Sequence, residues 1–108
     1  MMKQYNVVYA PLALEDMESI YRYIALHLQA QPTAQKQINR IRQKIADLSI
    51  MPTKYAKVDW EPWFSMSIRR MTIDHYLVFY RVEEENELVT VIRILYGGRD
   101  IETLVKDL

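Results

Sequence analysis

Apolar residues recur at steps of three and four along two stretches of the N-terminal half, residues 12–30 and 33–49. This spacing is typical of amphipathic helices; Pro32 marks the break between them, and Thr33 is the predicted N-cap of the second. We therefore expect a helical hairpin. The apolar stripe of the first helix is Leu14, Met17, Tyr21, Ile24 and Leu28, and that of the second is Ile38, Ile41, Ile45 and Leu48.

Four shorter runs are rich in β-branched and aromatic residues, which favours strands. "KQYNVVYA" precedes the helices, and "WFSMSIRRM", "HYLVFYRV" and "LVTVIRILY" follow them with short polar turns between. The last three runs predict an antiparallel meander, which the first strand joins at an edge or through the helical hairpin. The predicted fold is α+β: one domain over residues 1–108, with an N-terminal strand and two helices packed on a mostly antiparallel sheet.

The only glycines of the sequence, Gly97 and Gly98, follow the last predicted strand. They favour a turn, after which Asp100 is the predicted N-cap of a short C-terminal helix from Ile101. Neither glycine belongs to a phosphate-binding pattern, so no nucleotide cofactor is expected.

The faces of the sheet follow from the register of its last two strands. If Val82 pairs with Leu88, alternation directs every second residue of each strand towards the helices. The predicted core is Ile38, Ile41, Ile45, Val78, Tyr80, Ile92 and Ile94. The opposite face then carries Arg81, Arg93 and His75 among apolar residues, together with either Arg69 or Arg70.

Two explanations of this mixed face stay open, because a guanidinium among apolar residues needs water or a partner. The arginines could pair with nearby acids while loops, or a second copy in a homodimer, shield the apolar side chains. Alternatively, the face is a binding groove for an anionic or peptide partner. In that case, replacing Arg81 or Arg93 by alanine should leave the melting temperature nearly unchanged.

The charge and composition narrow the function classes. Fourteen basic and fourteen acidic residues cancel and the sequence pI is about 6.7, which argues against a strongly basic nucleic-acid-binding domain. With no cysteine and two histidines far apart in sequence, neither a disulfide nor a metal site is expected. We also expect a cytoplasmic protein, since the sequence lacks a signal peptide and a membrane span.

The whole chain resembles the RelE/ParE superfamily of toxins from bacterial type II toxin–antitoxin modules. The most specific part is "YLVFYRV", followed by a short acidic turn and "VTVIRILYGGRD"; the helices "ALEDMESIYRYI" and "INRIRQKIADLSIMP" add to it. The resemblance implies a small toxin that a cognate antitoxin neutralises by wrapping across its surface, with Arg69, Arg70, His75, Arg81 and Arg93 as candidate residues that bind the antitoxin or the target.

The superfamily contains two mechanisms. RelE-like members cleave mRNA on the ribosome, whereas ParE-like members inhibit DNA gyrase and need no hydrolytic centre. Many nuclease members carry an arginine directly before "LVY" that reaches the scissile phosphate, but this sequence has Leu77 before "VFY". Only in the nuclease interpretation would Tyr96 and Arg99 be catalytic, with Tyr96 as a proton donor or acceptor.

The ParE-like interpretation therefore comes first, with gyrase as the target. The alternative is a RelE-like ribonuclease that acts on the ribosome and mRNA, although such docking favours a more basic surface than this chain has. A third interpretation is an inactive binding module, which growth arrest on expression would distinguish from both toxins.

Overall fold

The computed structural model describes residues 3–98 and has one four-stranded sheet in the order β1-β4-β3-β2. The strands are β1 (Asn6–Tyr9), β2 (Ile68–Ile73), β3 (Tyr76–Glu83) and β4 (Leu88–Tyr96). β2, β3 and β4 form the predicted antiparallel meander, and β1 pairs in parallel with β4 at the sheet's edge. The predicted α+β fold is therefore confirmed. The predicted C-terminal helix from Ile101 lies outside the described residues.

The two predicted helices are present. α1 (Pro11–Arg22) begins with a proline in its first turn, where the missing N–H costs nothing, and continues as a π-helical turn over Tyr23–His27. α2 (Gln31–Ala46) ends in a 3₁₀ turn, Asp47–Ser49. A further 3₁₀ turn spans Pro52–Lys54. No helix within residues 3–98 is long and apolar enough to cross a bilayer.

Three details of the helix prediction are wrong. The N-cap of α2 is Ala30 and not Thr33, because the helix already begins at Gln31, before Pro32. Leu14 and Leu28 are more than half exposed, whereas the buried residues of α1 and its π-helical turn are Ala13 and the correctly predicted Met17 and Ile24. On α2 the predicted stripe is correct and fully buried: Ile38, Ile41, Ile45 and Leu48.

The predicted register of β3 and β4 is wrong. Val82 pairs with Val89, one residue further along β4, and a β-bulge adds a second shift because Tyr80 pairs with Val91 whereas Phe79 pairs with Arg93. The extra residue, Ile92, reverses the alternation of side chains beyond it. The helix-facing core thus contains Val78, Tyr80, Val89, Val91 and Ile94, whereas Ile92 packs on the opposite face.

On the opposite face, which we call the second sheet face, a loop shields the apolar side chains, as one of the two explanations left open by the sequence expected. Residues 58–67 fold over it as a loop, although the sequence favoured a strand from Trp63 onwards. Trp63 and Val58 pack on Phe79 and Leu95, with Trp60 beside them. Phe79 is completely buried as a result. Two apolar clusters, one on each face, therefore hold the sheet.

An ion pair ties α2 to the β2–β3 turn. Asp74, whose φ of 54° is left-handed, accepts hydrogen bonds from Arg40 at 2.9 and 3.0 Å and from Gln37 at 3.0 Å. The bonds from Arg40 and then from Gln37 lower the pKa of the Asp74 carboxyl to about 2. The ionised carboxylate therefore favours the folded chain.

The first prediction separates the two clusters. Ile41→Ala should lower the free energy of unfolding by about 2–5 kcal/mol, because the side chain is fully buried and a cavity remains. Ile92→Ala should cost less than half as much, since Ile92 is only partly buried. Urea denaturation of both variants measures the difference. Equal losses would contradict the bulge and place Ile92 in the helix-facing core.

The second prediction concerns acid stability. The pKa of Asp74 is about 2 in the native chain and about 3.9 in the unfolded chain, so the ionised carboxylate stabilises the fold. This contribution to the free energy of unfolding is complete above the unfolded pKa and is lost as the pH falls through the native pKa. Asp74→Asn should therefore destabilise the protein at pH 6 and have a much smaller effect at pH 2, as thermal melts would show. Asp59→Asn, in the exposed loop, is the control; the same pH dependence in both variants would contradict the assignment.

Candidate functional site

Two of the predicted arginines extend from the second sheet face. Arg70 pairs across the sheet with Phe79, and Arg81 pairs with Ile68, so both share the face that residues 58–67, which we call the tryptophan loop, partly cover. Both side chains are exposed. They therefore provide two positive charges beside an apolar surface, and the choice between Arg69 and Arg70 that the sequence left open falls on Arg70.

Arg69 lies on the helix-facing side and has an internal role. Its Nη1 donates to the main-chain oxygens of Tyr55 at 2.6 Å and Thr53 at 3.1 Å. Its cross-strand neighbour Tyr80 donates its hydroxyl to the Pro52 oxygen at 2.6 Å, and burial raises the pKa of this phenol. Arg69 and Tyr80 together hold the 3₁₀ turn at Pro52 against the sheet.

Arg93 is paired within the chain, contrary to the expectation of a free guanidinium. Its Nε and Nη2 donate to the carboxylate of Asp16 at 2.8 and 2.9 Å, and the same carboxylate accepts the main-chain N–H of Ile94 at 2.9 Å. The two side chains are only 13% and 12% exposed. The hydrogen bonds that Arg93 donates to Asp16 raise the pKa of Arg93, so the pair is a charged link between α1 and β4.

His75 and Tyr96 lie at the same end of the sheet. His75 occupies the exposed β2–β3 turn, and its main-chain oxygen accepts the N–H of Gly97 at 2.8 Å. Tyr96 is 51% exposed, and its ring stands edge-on to Tyr76 with centroids 6.0 Å apart. Arg99 lies outside the described residues. The binding and catalytic roles of these residues remain predictions.

A cleft of about 790 Å³ separates α1 and its π-helical turn from the end of β4. Tyr23, Tyr76 and Tyr96 line it together with Leu28, and we call it the tyrosine cleft. The pair of Asp16 and Arg93 also lines it. Sequence reasoning assigned Arg93 and Tyr96 to possible sites but missed the cleft, because residues about 70 positions apart meet there only after α1 packs on β4.

Leu77 lies in the apolar cluster of the second sheet face, next to Phe79 and Leu95. This cluster contains no charged side chain among the described residues. Leu77 pairs across the sheet with Thr72, whereas Arg70 pairs with Phe79 and Arg81 with Ile68, so neither arginine of this face is the direct cross-strand neighbour of Leu77.

A family model described as ParE toxin of type II toxin-antitoxin system, parDE, matches residues 7–101. The match spans both helices and all four strands. No curated protein sequence matches the chain significantly.

Solved structures from toxin–antitoxin systems share the fold. The chromosomal ParDE system of P. aeruginosa matches with a TM-score of 0.68 and 19% identity, over 87% of this chain and 97% of that one. The RelBE2 complex of Mycobacterium tuberculosis matches with a TM-score of 0.62 and 18% identity, over 92% and 98%. The archaeal RelE-RelB complex of Pyrococcus horikoshii matches with a TM-score of 0.63 and 15% identity, over 89% and 98%.

The geometry predicts different effects for two arginines on neighbouring strands. Arg93→Ala should lower the free energy of unfolding by about 3 kcal/mol or more, because it leaves the largely buried Asp16 carboxylate without its cation. Arg81→Ala should change it by less than about 0.5 kcal/mol, since the side chain is exposed. Urea denaturation compares them, and a stable Arg93→Ala variant would show that the pair is dispensable.

Proposed function

Because a family model spans residues 7–101, the chain belongs to the ParE toxin family of type II toxin–antitoxin systems, and we propose that it inhibits DNA gyrase. In this proposal a cognate antitoxin neutralises the toxin by binding it, and both partners meet it in the cytoplasm. The complexes among its structural relatives support an antitoxin partner.

The apolar surroundings of Leu77 are the main reason for proposing gyrase, rather than RNA, as the target. RNA cleavage by attack of a 2′-hydroxyl needs a group that takes the proton and a cation that stabilises the charged phosphorane. On the second sheet face, Trp63, Phe79 and Leu95 surround the position from which the nuclease arginine would reach the phosphate. The side chains of this cluster can supply neither group, and the arginines of this face, Arg70 and Arg81, lie opposite residues other than Leu77, so the face favours a protein target.

The charge of the chain supports the same choice. A protein that docks on ribosomal RNA gains affinity from each phosphate that its lysines and arginines neutralise. This chain has as many acidic as basic residues, and two of its arginines, Arg40 and Arg93, are already paired with aspartates. The chain therefore has no excess of positive charge that would favour docking on RNA.

We assign contact with a protein partner to Arg70 and Arg81. Both are exposed on the second sheet face, beside the loop that carries Phe64, which is itself 55% exposed. Arginines and aromatic residues are enriched in protein interfaces because they combine apolar area with directed hydrogen bonds. The exposed His75 is a further candidate at the β2–β3 turn.

One observation favours the ribonuclease alternative. Tyr96 and Arg93 line the same cleft, which brings a phenol and a cation together near the end of β4. The hydrogen bonds that Asp16 receives from Arg93 weigh against it, because they occupy two donors that a phosphate would need. An inactive binding module is the third candidate, and growth arrest on expression would exclude it.

The proposal predicts that the purified protein inhibits supercoiling by gyrase and leaves mRNA on programmed ribosomes intact. Arg70→Ala and Arg81→Ala should each weaken inhibition or antitoxin binding by about tenfold, the loss typical of an interface arginine. Arg22→Ala, which removes an exposed arginine of α1, is the matched control and should change neither.

Codon-dependent cleavage of mRNA, lost on Tyr96→Phe or Arg99→Ala, would overturn the proposal and make the protein a ribonuclease. Filamentation with DNA damage would support gyrase as the target in cells, whereas an immediate stop of translation would contradict it.

A further inference from the structure

The tyrosine cleft has the features of a docking site that the proposed gyrase and arginine contacts do not use. Its volume of about 790 Å³ falls within the range of sites that enclose a bound group. Tyr23, Leu28 and Tyr96 are 55%, 56% and 51% exposed, although their side chains are large and apolar. Exposed apolar residues gathered around one concavity are typical of an interface.

The floor of the cleft offers hydrogen-bond donors without net charge. A guanidinium carries five N–H groups, and Asp16 accepts one from Nε and one from Nη2 of Arg93. The remaining donors belong to the side of the guanidinium that faces away from the carboxylate. Because Asp16 neutralises the cation, a second carboxylate would be repelled by Asp16, and an uncharged acceptor such as a peptide carbonyl fits better.

The open edge of β4 favours an extended conformation of the bound peptide. β1 pairs with β4 only as far as Val91, so the rest of β4 has no neighbouring strand on that side within residues 3–98. The N–H of Ile94 points to this edge, where it donates a hydrogen bond to the carboxylate of Asp16. Because a strand directs the N–H and C=O of one residue to the same side, the Ile94 carbonyl faces the cleft and can accept from an extended peptide.

We propose that the tyrosine cleft binds an uncharged, extended segment of the antitoxin, with an apolar side chain between Tyr23 and Tyr96 and a main-chain carbonyl on Arg93. This inference rests on the proposed antitoxin partner. It assigns the two surfaces to different chemistry: acidic residues of the antitoxin suit Arg70 and Arg81 on the second sheet face, and apolar residues suit the cleft.

The test compares two large side chains of equal exposure, one inside the cleft and one outside it. Tyr23→Ala should weaken binding of the purified cognate antitoxin by about tenfold or more in isothermal titration calorimetry, with an unchanged melting temperature. Leu14→Ala, which removes a side chain of α1 that is also 55% exposed but lies outside the cleft, should leave the affinity for the antitoxin unchanged. Leu28→Ala, in the cleft, should behave like Tyr23→Ala. Wild-type affinity in both cleft variants would overturn the inference.

A photo-reactive phenylalanine derivative at position 23 identifies the occupant directly. It should cross-link to the antitoxin within an uncharged stretch, as mass spectrometry of the linked peptides would show, and the same derivative at position 64 should not reach that stretch. A cross-link to an acidic stretch, to a second copy, or to residues 99–108 of the same chain would contradict the inference. Failure of the wild-type protein to bind any antitoxin would instead contradict the proposed function.

Discussion

The carboxylate of Asp16 is the contact on which the arrangement of α1 and β4 depends. It accepts two hydrogen bonds from Arg93 and one from the Ile94 N–H. These two residues directly follow Ile92, the extra residue of the β-bulge. Beyond Val91, β4 has no neighbouring strand on the β1 side within residues 3–98, and a buried main-chain group without a partner there would cost free energy. One side chain of α1 therefore provides the acceptor, fixes the helix against the strand and neutralises the arginine.

The bulge also determines which side chains each face of the sheet receives. Before it, Val89 and Val91 face the helices; after it, Ile94 faces them and Leu95 faces the tryptophan loop. Without the extra residue, one of these two sets would point to the wrong side. Both faces of the sheet are thus buried against something different, which leaves exposed arginines at the sheet's rim and the tyrosine cleft beside β4 as the surfaces available to partners.

The sequence predicted the elements of the fold better than their contacts. The stripe of α2 and the helix-facing residues of β3 were correct because Ile38, Ile41, Val78 and Tyr80 follow one period without interruption. On β4 the prediction was correct for Ile94 but wrong for Ile92, because "LVTVIRILY" is apolar at odd and even positions alike and alternation could not locate a bulge. Similarly, the loop over the second sheet face was predicted as a strand, because tryptophan and phenylalanine occur both in strands and in loops that pack on a sheet.

The arginines show why the residue type alone could not identify the site. Arg69, Arg81 and Arg93 lie in similar apolar runs, yet main-chain carbonyls hold the first, solvent surrounds the second and an aspartate pairs with the third. Each outcome depends on which acceptor the fold brings near. Arg69 meets carbonyls of the turn at Pro52, and Arg93 meets Asp16 on α1, which precedes β4 by more than 60 residues. Arg81 is exposed to solvent. Because those acceptors are distant in sequence, only the packed structure separates an arginine that stabilises the fold from one that a partner can reach.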